Sequence, residues 1–384
     1  MIQIKNKAKC TGCTACANIC GNHAITMNYD KWGHSYPTVN IDLCTECGLC
    51  EKICPLLHNE NIPSDKNLEN LSIYAAYNKN SQERKQSTSG GIFPLLARYI
   101  LSGGGIVYAA KFDENYHIEH AALEHENELN AFRGSKYAQS DLSDIFRKIR
   151  SNLKSRKVLF VGTPCQVAGL KSFLYKDYPN LYTCDFICMG ISSPVIWEAY
   201  LDSYWNRKEI KHIFFKDKRL GWHNWRMLIE DNKGEHLYKG LENPFFYSYL
   251  THITYRPSCF TCPFRTIKRI SDFTIADCWG IDKVNPDFDD NKGCTTIILQ
   301  SEKAKDVFQK ISDMLYVTDY KVEDIKQYNP YSIKPISKHK DTEAFYDTYL
   351  KKGFKTASKK YLHKRTSSST KTIIKNIINK FIKK

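Results

Sequence analysis

The sequence has no long hydrophobic run. No window approaches about 18 uncharged apolar residues, so no transmembrane helix is predicted. Residues 1–7 lack the apolar stretch of a secretory signal peptide, and the expected location is therefore the cytoplasm. No solenoid repeat or low-complexity tract is present. With 42% hydrophobic and 25% charged residues, the composition also excludes wholesale disorder.

Acidic residues are missing from the last 34 positions, which contain twelve Lys or Arg. The net charge of +15 is therefore mostly a property of residues 351–384, and the other 350 residues carry only +3. Such a distribution gives little support to a nucleic-acid partner, and none is expected.

The end of this basic tail has a helical pattern. Six apolar residues fall on one half of a helical wheel and lysines on the other: Ile373, Ile374, Ile377, Ile378, Phe381 and Ile382. This predicts a basic amphipathic helix that binds a partner groove or the inner face of a membrane, which would make the protein peripheral there. The alternative is a terminal helix that docks on the body.

Cysteine is abundant, with 15 residues, and in a reducing compartment this density favours metal ligation over disulfides. Eight cysteines form two copies of one spacing: Cys10-x2-Cys13-x2-Cys16-x3-Cys20 and Cys44-x2-Cys47-x2-Cys50-x3-Cys54-Pro55. This spacing is typical of ferredoxins that hold two [4Fe-4S] clusters, in which the fourth cysteine of each run ligates the other cluster.

The spacing therefore predicts two ligand sets. One cluster is expected on Cys10, Cys13, Cys16 and Cys54, and the other on Cys44, Cys47, Cys50 and Cys20. Zinc is the alternative, but zinc sites favour two CxxC pairs separated by a longer loop. Gly12 and Gly48 lie inside the loops, where the backbone must approach a cluster closely. Gly21 replaces the proline expected after Cys20, which removes no ligand.

Turn residues divide the chain into four parts. We expect a ferredoxin-type domain at 1–60, a polar linker at 61–72, a body at 73–350 and the basic tail at 351–384. Strand and helix patterns alternate in the body, which implies some parallel strands. The predicted fold class is α+β and α/β: a small 2[4Fe-4S] ferredoxin-like domain followed by a larger α/β flavin-binding body.

Two loops of the body could contact a flavin. Ser89, Gly90 and Gly91 lead into a helix and could offer backbone amides to a phosphate or a flavin edge, although serines there are more often helix caps. Arg133 and Lys136 could hold a diphosphate, and the alternative is an ordinary loop with exposed cations.

Four later cysteines are sufficient for a third [4Fe-4S] cluster. Cys165 and Cys188 follow neighbouring predicted strands, and Cys259 and Cys262 form a CxxC pair. Spacing alone does not select the quartet. Cys184 and Cys278 compete for it, and Cys294 is expected to be structural. Cys165 could instead be a nucleophile at a helix N-terminus, or a small buried residue.

Several motifs together resemble the beta subunits of the coenzyme F-420 hydrogenase/dehydrogenase family, in particular the members with an N-terminal ferredoxin domain. They are Ser89-Gly-Gly91, Gly162-Thr-Pro-Cys-Gln166, Asp185-Phe-Ile-Cys-Met-Gly190, Arg256-Pro-Ser-Cys-Phe-Thr-Cys262 and Ser271-Asp-Phe-Thr-Ile-Ala-Asp-Cys-Trp-Gly280.

The resemblance implies FAD in the body, a cluster beside it and hydride exchange with a soluble carrier. It implies that Cys165, Cys188, Cys259 and Cys262 ligate this cluster. It also implies flavin contacts from three loops: Ser89, Gly90 and Gly91; Arg133, Gly134, Ser135, Lys136 and Tyr137; and Gly162, Thr163 and Gln166. Many family members look like accessory redox enzymes of polysaccharide assembly.

The function that follows is an iron–sulfur flavoprotein oxidoreductase. Electrons would pass between a substrate or hydride carrier, FAD and a chain of [4Fe-4S] clusters that ends at a redox partner protein. The alternative is an electron-transfer subunit with no substrate site of its own. No catalytic acid or base is assigned: His223 and Asp217 could serve, but a solvated loop is the simpler interpretation.

Overall fold

The computed structural model describes residues 1–58, 60 and 62–362. The two cysteine loops lie beside a hairpin of strands β1 (Ile25–Tyr29) and β2 (Ser35–Val39). Short helices α1 (Ala15–Ile19) and α2 (Leu49–Lys52) contain the third cysteine of each run. Each helix starts after a residue with left-handed backbone, Thr14 at φ 62° and Gly48 at φ 72°.

The body is built on an eight-stranded mixed sheet with the strand order β13-β3-β12-β11-β7-β6-β4-β5. Its strands are β3 (Ser72–Asn78), β4 (Ile106–Phe112), β5 (Ile118–Leu123), β6 (Val158–Val161), β7 (Leu181–Phe186), β11 (Phe273–Asp277), β12 (Thr295–Leu299) and β13 (Leu315–Asp319). The adjacent strands β4, β6, β7 and β11 are parallel, and the outer pairings are antiparallel. The carboxyl ends of these four strands therefore meet at one edge, where α/β folds bind ligands.

Helices cover both faces of this sheet. One face packs on α4 (Ile92–Leu101) and α11 (Glu302–Ile311), and the other on α6 (Ile145–Asn152) and α7 (Pro164–Leu174). The remaining helices are α3 (Ser81–Lys85), α5 (Leu129–Phe132), α8 (Pro194–Tyr204), α9 (Pro244–Leu250), α10 (Ile281–Val284), α12 (Val322–Tyr328) and α13 (Thr342–Tyr361). The predicted fold class, a small ferredoxin-like unit followed by a larger α/β body, is confirmed.

A second, three-stranded sheet has the order β10 (Gly234–Tyr238), β9 (Arg226–Asp231) and β8 (His212–Asp217). Together with α8, α9 and α13 it encloses an aromatic core whose members include Trp197, Phe215 and Tyr346. Large aromatic side chains bury much apolar surface each, so this layer stabilises one wall of the cavity described below.

Residues 351–361, which the charge pattern assigns to the basic tail, belong to helix α13. Helix α13 continues past residue 350 to Tyr361, with a kink at Gly353, and it buries Phe354 and Ala357 in the aromatic core. The amphipathic helix expected after Thr372 lies outside the described residues. Among the helices that are described, none is long and apolar enough to cross a membrane.

Candidate functional site

The first predicted cluster set is brought together. Cys10, Cys13, Cys16 and Cys54 line one small pocket. Burial, and to a lesser extent the nearby charges of Cys54 and Cys10, raise the pKa of Cys13 to about 12. Buried thiolates without a positive partner are costly, and iron supplies that charge when a cluster binds.

The second set lies nearer the surface. Cys20 and Cys50 belong to the apolar cluster around Ile2, whereas Cys47 is exposed. Backbone amides already point at two sulfurs: Ile2 N donates to Cys50 Sγ at 3.3 Å, and Ala24 N to Cys20 Sγ at 3.3 Å. Such N–H···S contacts are typical of the surroundings of iron–sulfur clusters.

A third group of cysteines lies at the carboxyl edge of the parallel strands. Cys165 is in the first turn of α7 after β6, and Cys188 follows β7. Both line a cavity of about 800 Å³ together with Cys259 and Cys262. Burial raises the pKa of Cys188 to about 11 and that of Cys259 to about 12, and in each case the neighbouring thiols add to the shift.

The competing cysteines are elsewhere. Cys184 is fully buried within β7, and Cys278 and Cys294 are neighbours in another part of the hydrophobic core. None of the three lines the large cavity. Within the described part of the chain, no three His, Cys, Asp or Glu side chains lie close enough to hold a single metal ion.

Two arginines lie beside the third quartet. Arg265 donates through Nη2 to Met189 O at 2.5 Å and to Cys259 O at 3.3 Å, and through Nη1 to Cys188 O at 3.4 Å. Arg265 Nε and two nitrogens of Arg269, Nε and Nη1, are buried without a partner among the described residues. Two cations with unused donors therefore lie beside the quartet.

The flavin loops predicted from the sequence converge on the same cavity. Ten of the eleven residues line it: Ser89, Gly91, Arg133, Gly134, Ser135, Lys136, Tyr137, Gly162, Thr163 and Gln166. Gly90 does not line it; its amide donates to Thr295 Oγ1 at 2.8 Å, and a Cβ there would clash with Ala76 O. Gly90 is thus needed for packing against the sheet.

The two expected diphosphate cations have partners inside the protein. Arg133 Nη2 forms an ion pair with Glu83 Oε2 at 2.5 Å. Lys136 Nζ donates to Ala110 O at 2.9 Å and to Arg133 O at 3.0 Å, and burial lowers the pKa of Lys136 to about 7. These residues are not the exposed cations of an ordinary loop: the charge of Arg133 is paired with Glu83, and the ammonium of Lys136 donates to backbone carbonyls.

Thr163 and Gln166 have a structural role of their own. Gln166 Oε1 accepts from Thr163 N at 2.9 Å, and Thr163 Oγ1 accepts from Gln166 N at 3.4 Å, so the two residues form a capping box at the start of α7. This cap fixes the turn that carries Cys165 into the cavity.

Sequence reasoning missed a buried ion pair in the cavity wall. Lys216 Nζ pairs with Asp277 Oδ2, and the ammonium lies 5.1 Å from the centre of the Trp279 ring. Asp277 and Tyr137 raise the pKa of Lys216 despite its burial, so the lysine stays charged. In the sequence Asp277 is only part of a motif, and Lys216 lies in β8 of the second sheet. No local sequence pattern therefore predicts that the two residues form a pair.

The catalytic candidates differ in position. His223 lines the cavity and pairs through Nε2 with Asp289 Oδ2 at 2.6 Å. Asp217 lies outside the cavity lining and pairs with Arg219.

The first cysteine loop is joined to the cavity through Arg256. This side chain is 1% exposed; Nε donates to Cys10 O at 2.8 Å, Nη2 to Ser35 O at 2.8 Å and Nη1 to Gln139 Oε1 at 3.1 Å. Its own carbonyl accepts from Cys259 N at 2.9 Å. One residue therefore contacts a cysteine of the first set and a cysteine of the third.

Helix α7 makes a second connection. A Cβ on Gly169 would lie 2.9 Å from Cys13 Sγ, so only glycine permits this approach. Cys165 lies four residues earlier, on the same face of the helix. The first set and the third set are thus adjacent, whereas the second set lies on the outside.

These features define an iron–sulfur protein, and residues 9–56 match the family described as a 4Fe-4S dicluster domain. Residues 155–325 match the family described as the C terminus of the beta subunit of coenzyme F420 hydrogenase/dehydrogenase. The resemblance to that family is therefore confirmed over these residues.

Two curated relatives and one solved structure are similar. A coenzyme F420-dependent sulfite reductase of Methanocaldococcus jannaschii is 28% identical over 179 residues, 46% of this chain and 27% of the relative. A subunit of the F(420)H(2) dehydrogenase of Methanosarcina mazei is 24% identical over 174 residues, 41% of this chain and 46% of the relative. The matches thus span about a quarter and about half of these relatives.

The solved structure is the F420-reducing [NiFe] hydrogenase complex from Methanosarcina barkeri. One of its chains is similar with a TM-score of 0.47 and 15% identity, over 75% of this chain and 90% of that one.

Proposed function

We propose that this protein is a flavin-dependent iron–sulfur oxidoreductase with three [4Fe-4S] clusters. In this proposal FAD lies in the large cavity, and Cys165, Cys188, Cys259 and Cys262 hold the third cluster beside it. The observation that carries the proposal is that this quartet and ten residues of the flavin-like loops share one cavity, which also reaches Thr11 of the first cysteine loop.

The third quartet fits a cluster in its charge and in its donors. A [4Fe-4S] cluster with four thiolates is anionic, and the unused N–H groups of Arg265 and Arg269 are buried beside the thiols. Leaving such donors unpaired costs roughly 1–3 kcal/mol each, and sulfur acceptors would remove that cost. The arginines would hold the thiolates in place and favour the reduced, more negative state.

The cavity fits a flavin in its size and lining. Its volume of about 800 Å³ lies within the range of cofactor sites, and its wall combines aromatic rings with hydroxyls. Tyr137 contacts the rings of Phe246 and Tyr249, which makes a rigid apolar side. Ser135 N donates to Thr88 Oγ1 at 3.0 Å, so the two flavin-like loops are tied together. A bound flavin would supply the exchange between paired and single electrons.

Lys216 and Asp277 would orient and polarise a ligand in this cavity. The ammonium of Lys216 places a positive charge on the wall next to Tyr137. Oδ1 of Asp277 is buried with no partner among the described residues and can accept a hydrogen bond from a ligand N–H. This pair therefore offers one cation and one acceptor at a fixed separation.

The hydride carrier is proposed from the relatives. Both curated relatives are named for F420 or its reduced form. Reduced F420 is accordingly the first donor to test, followed by NADH and NADPH. A pure electron-transfer subunit would be reduced by a partner protein and by none of these carriers.

Anaerobic purification tests the proposal directly. We expect roughly twelve irons and one FAD per chain, since each [4Fe-4S] cluster contains four irons. The variant Cys165→Ser should lose about four irons, whereas the matched control Cys184→Ser should lose none because Cys184 is buried in the core. A wild-type protein with only eight irons and no flavin would contradict the proposal.

A further inference from the structure

The second cysteine loop carries an unusual exposed apolar surface. Four large hydrophobic side chains within 17 residues are exposed, and we call them the outer face: Ile41 at 70%, Leu43 at 49%, Leu49 at 39% and Leu57 at 55%. Single exposed hydrophobics are normal, but a concentration of this kind marks an interaction site.

The side chains of the outer face flank, in the sequence, the one cysteine that is exposed in the described part of the chain, Cys47. Leu49 lies two residues after Cys47, and Ile41 and Leu43 form the 3-10 turn before Cys44. Tyr175 from the body is 50% exposed, and Lys52 Nζ of this segment lies 6.0 Å from the centre of its ring, so the body extends the face. A cluster held by this loop would therefore lie under the outer face.

The charge of the outer face is opposite to that of the chain. Residues 41–58 contain Asp42, Glu46 and Glu51 against a single Lys or Arg, Lys52, although the whole chain carries +15. Glu51 faces the N-terminal amine at 3.4 Å. Asp42 and Glu46 are exposed and enter no ion pair with a described residue. Unpaired carboxylates around an apolar patch favour a basic partner.

We propose that the outer face docks a one-electron carrier protein whose own contact face is apolar with a basic rim. This inference rests on the proposed function, because it needs a cluster beneath Cys47. Apolar contact would bring the two redox centres together, and the carboxylates would orient the encounter. Weak redox complexes bury little area, so four side chains and two charges are a sufficient core.

The experiment uses the full-length protein reduced with dithionite and freed of excess reductant. Oxidised cytochrome c, a small basic carrier, is the probe, and bleaching of the iron–sulfur absorbance is followed by stopped flow. The test variant is Asp42→Lys with Glu46→Lys, and a second variant is Leu49→Ser. The matched controls are Asp313→Lys and Met314→Ser, since Asp313 and Met314 are an exposed acid and an exposed hydrophobic residue beside β13.

We expect the double lysine variant to react about tenfold more slowly at low salt and to lose most of its salt dependence. Leu49→Ser should slow the reaction by about threefold at any salt. Both controls should stay within about twofold of the wild type. An uncharged quinone should oxidise all the variants at one rate, which shows that their clusters are intact.

Equal rates with cytochrome c for the wild type and both outer-face variants would overturn the inference. Faster oxidation of the wild type by an acidic ferredoxin than by cytochrome c would overturn it as well. The readout needs only the two ferredoxin-type clusters. A protein that lacks the flavin or the third cluster would therefore refute the proposed function and still give a result for docking.

Discussion

The two cysteine loops share one spacing but have opposite surroundings. In the first loop Thr11, Gly12 and Cys16 are buried, and the loop packs on Arg256, Gln139 and α7. In the second loop most residues from position 41 to 49 are exposed. The spacing sets the ligands, whereas the residues between the ligands decide whether a loop faces protein or solvent.

The position of glycine in each loop shows the difference. The backbone is left-handed at the second and fourth positions after the first cysteine of both loops: Gly12 and Thr14 in one, Glu46 and Gly48 in the other. A Cβ on Gly12 would lie 2.8 Å from Gln139 Nε2 and 2.9 Å from Arg256 Nη1. Glu46 has the same conformation with a side chain because it faces solvent. Glycine is therefore required at position 12, where a Cβ would clash, and not at every left-handed position.

Removing the guanidinium of Arg256 should have the largest effect. Arg256→Met leaves Cys10 O, Ser35 O and Gln139 Oε1 without a donor inside the protein. We expect a loss of roughly 3 kcal/mol in the free energy of unfolding, and faster proteolysis between the two domains. Arg256→Lys keeps the charge and should lose about half as much. Proteolysis at the wild-type rate in Arg256→Met would contradict the role of this residue.

Alanine substitutions at Gly12 and Gly48 should destabilise the two loops by different amounts. Gly12→Ala creates a clash with two hydrogen-bonded side chains and should cost about 2 kcal/mol. Gly48→Ala meets no atom within 4 Å and should cost about 1 kcal/mol, from its positive φ alone. The stability losses of the two variants are compared through their apparent melting temperatures, and the iron content of each variant is measured alongside. Equal losses would show that the packing difference has no energetic weight.

A smaller effect is expected at Gln139. Its Nε2 donates to Thr11 O at 3.0 Å and to Gly12 O at 3.3 Å, so Gln139→Leu should lose about 1–2 kcal/mol. The counterpart near the second loop is Asn22, which donates to Leu43 O at 3.2 Å on the exposed surface. Asn22→Ala should cost about 0.5 kcal/mol or less, and chemical denaturation measures both values. A larger loss of stability in Asn22→Ala than in Gln139→Leu would contradict the view that the first loop is the more tightly packed one.

An effect that appears only at acid pH is expected from His34, which is fully buried near Arg256. Burial and then the charge of Arg256 hold the pKa of His34 well below its usual range. The folded state keeps this imidazole neutral while the unfolded state binds a proton below about pH 6.5. Stability should therefore fall as the pH drops below about 6.5, by at most about 1.4 kcal/mol per pH unit from this group.

The variant His34→Gln isolates this contribution. Its stability between pH 7 and pH 5 should fall less steeply than that of the wild type, whereas His120 and His252, whose pKa values burial also lowers, affect both proteins equally. Parallel stability curves for the two proteins would show that His34 is not held neutral.

Local patterns predicted much of this molecule. The cysteine spacing predicted the grouping of Cys10, Cys13, Cys16 and Cys54, and the strand ends placed Cys165 and Cys188 together. The ion pairs of Arg133 and Lys216 were not predictable, because their partners, Glu83 in α3 and Asp277 in β11, lie far away in the sequence. The sequence also does not show which of the two ferredoxin-type sets lies next to the third set. That placement depends on contacts of Arg256 and Gly169, which lie far from either loop in the sequence.

The order of the clusters is tested most directly by electron paramagnetic resonance of the fully reduced protein. Cys13→Ser removes a ligand of the first set, and Cys47→Ser removes one of the second. If the first set lies between the other two, magnetic broadening of the signal of the proposed third cluster should disappear in Cys13→Ser and persist in Cys47→Ser. Broadening that disappears in Cys47→Ser and persists in Cys13→Ser would contradict this order.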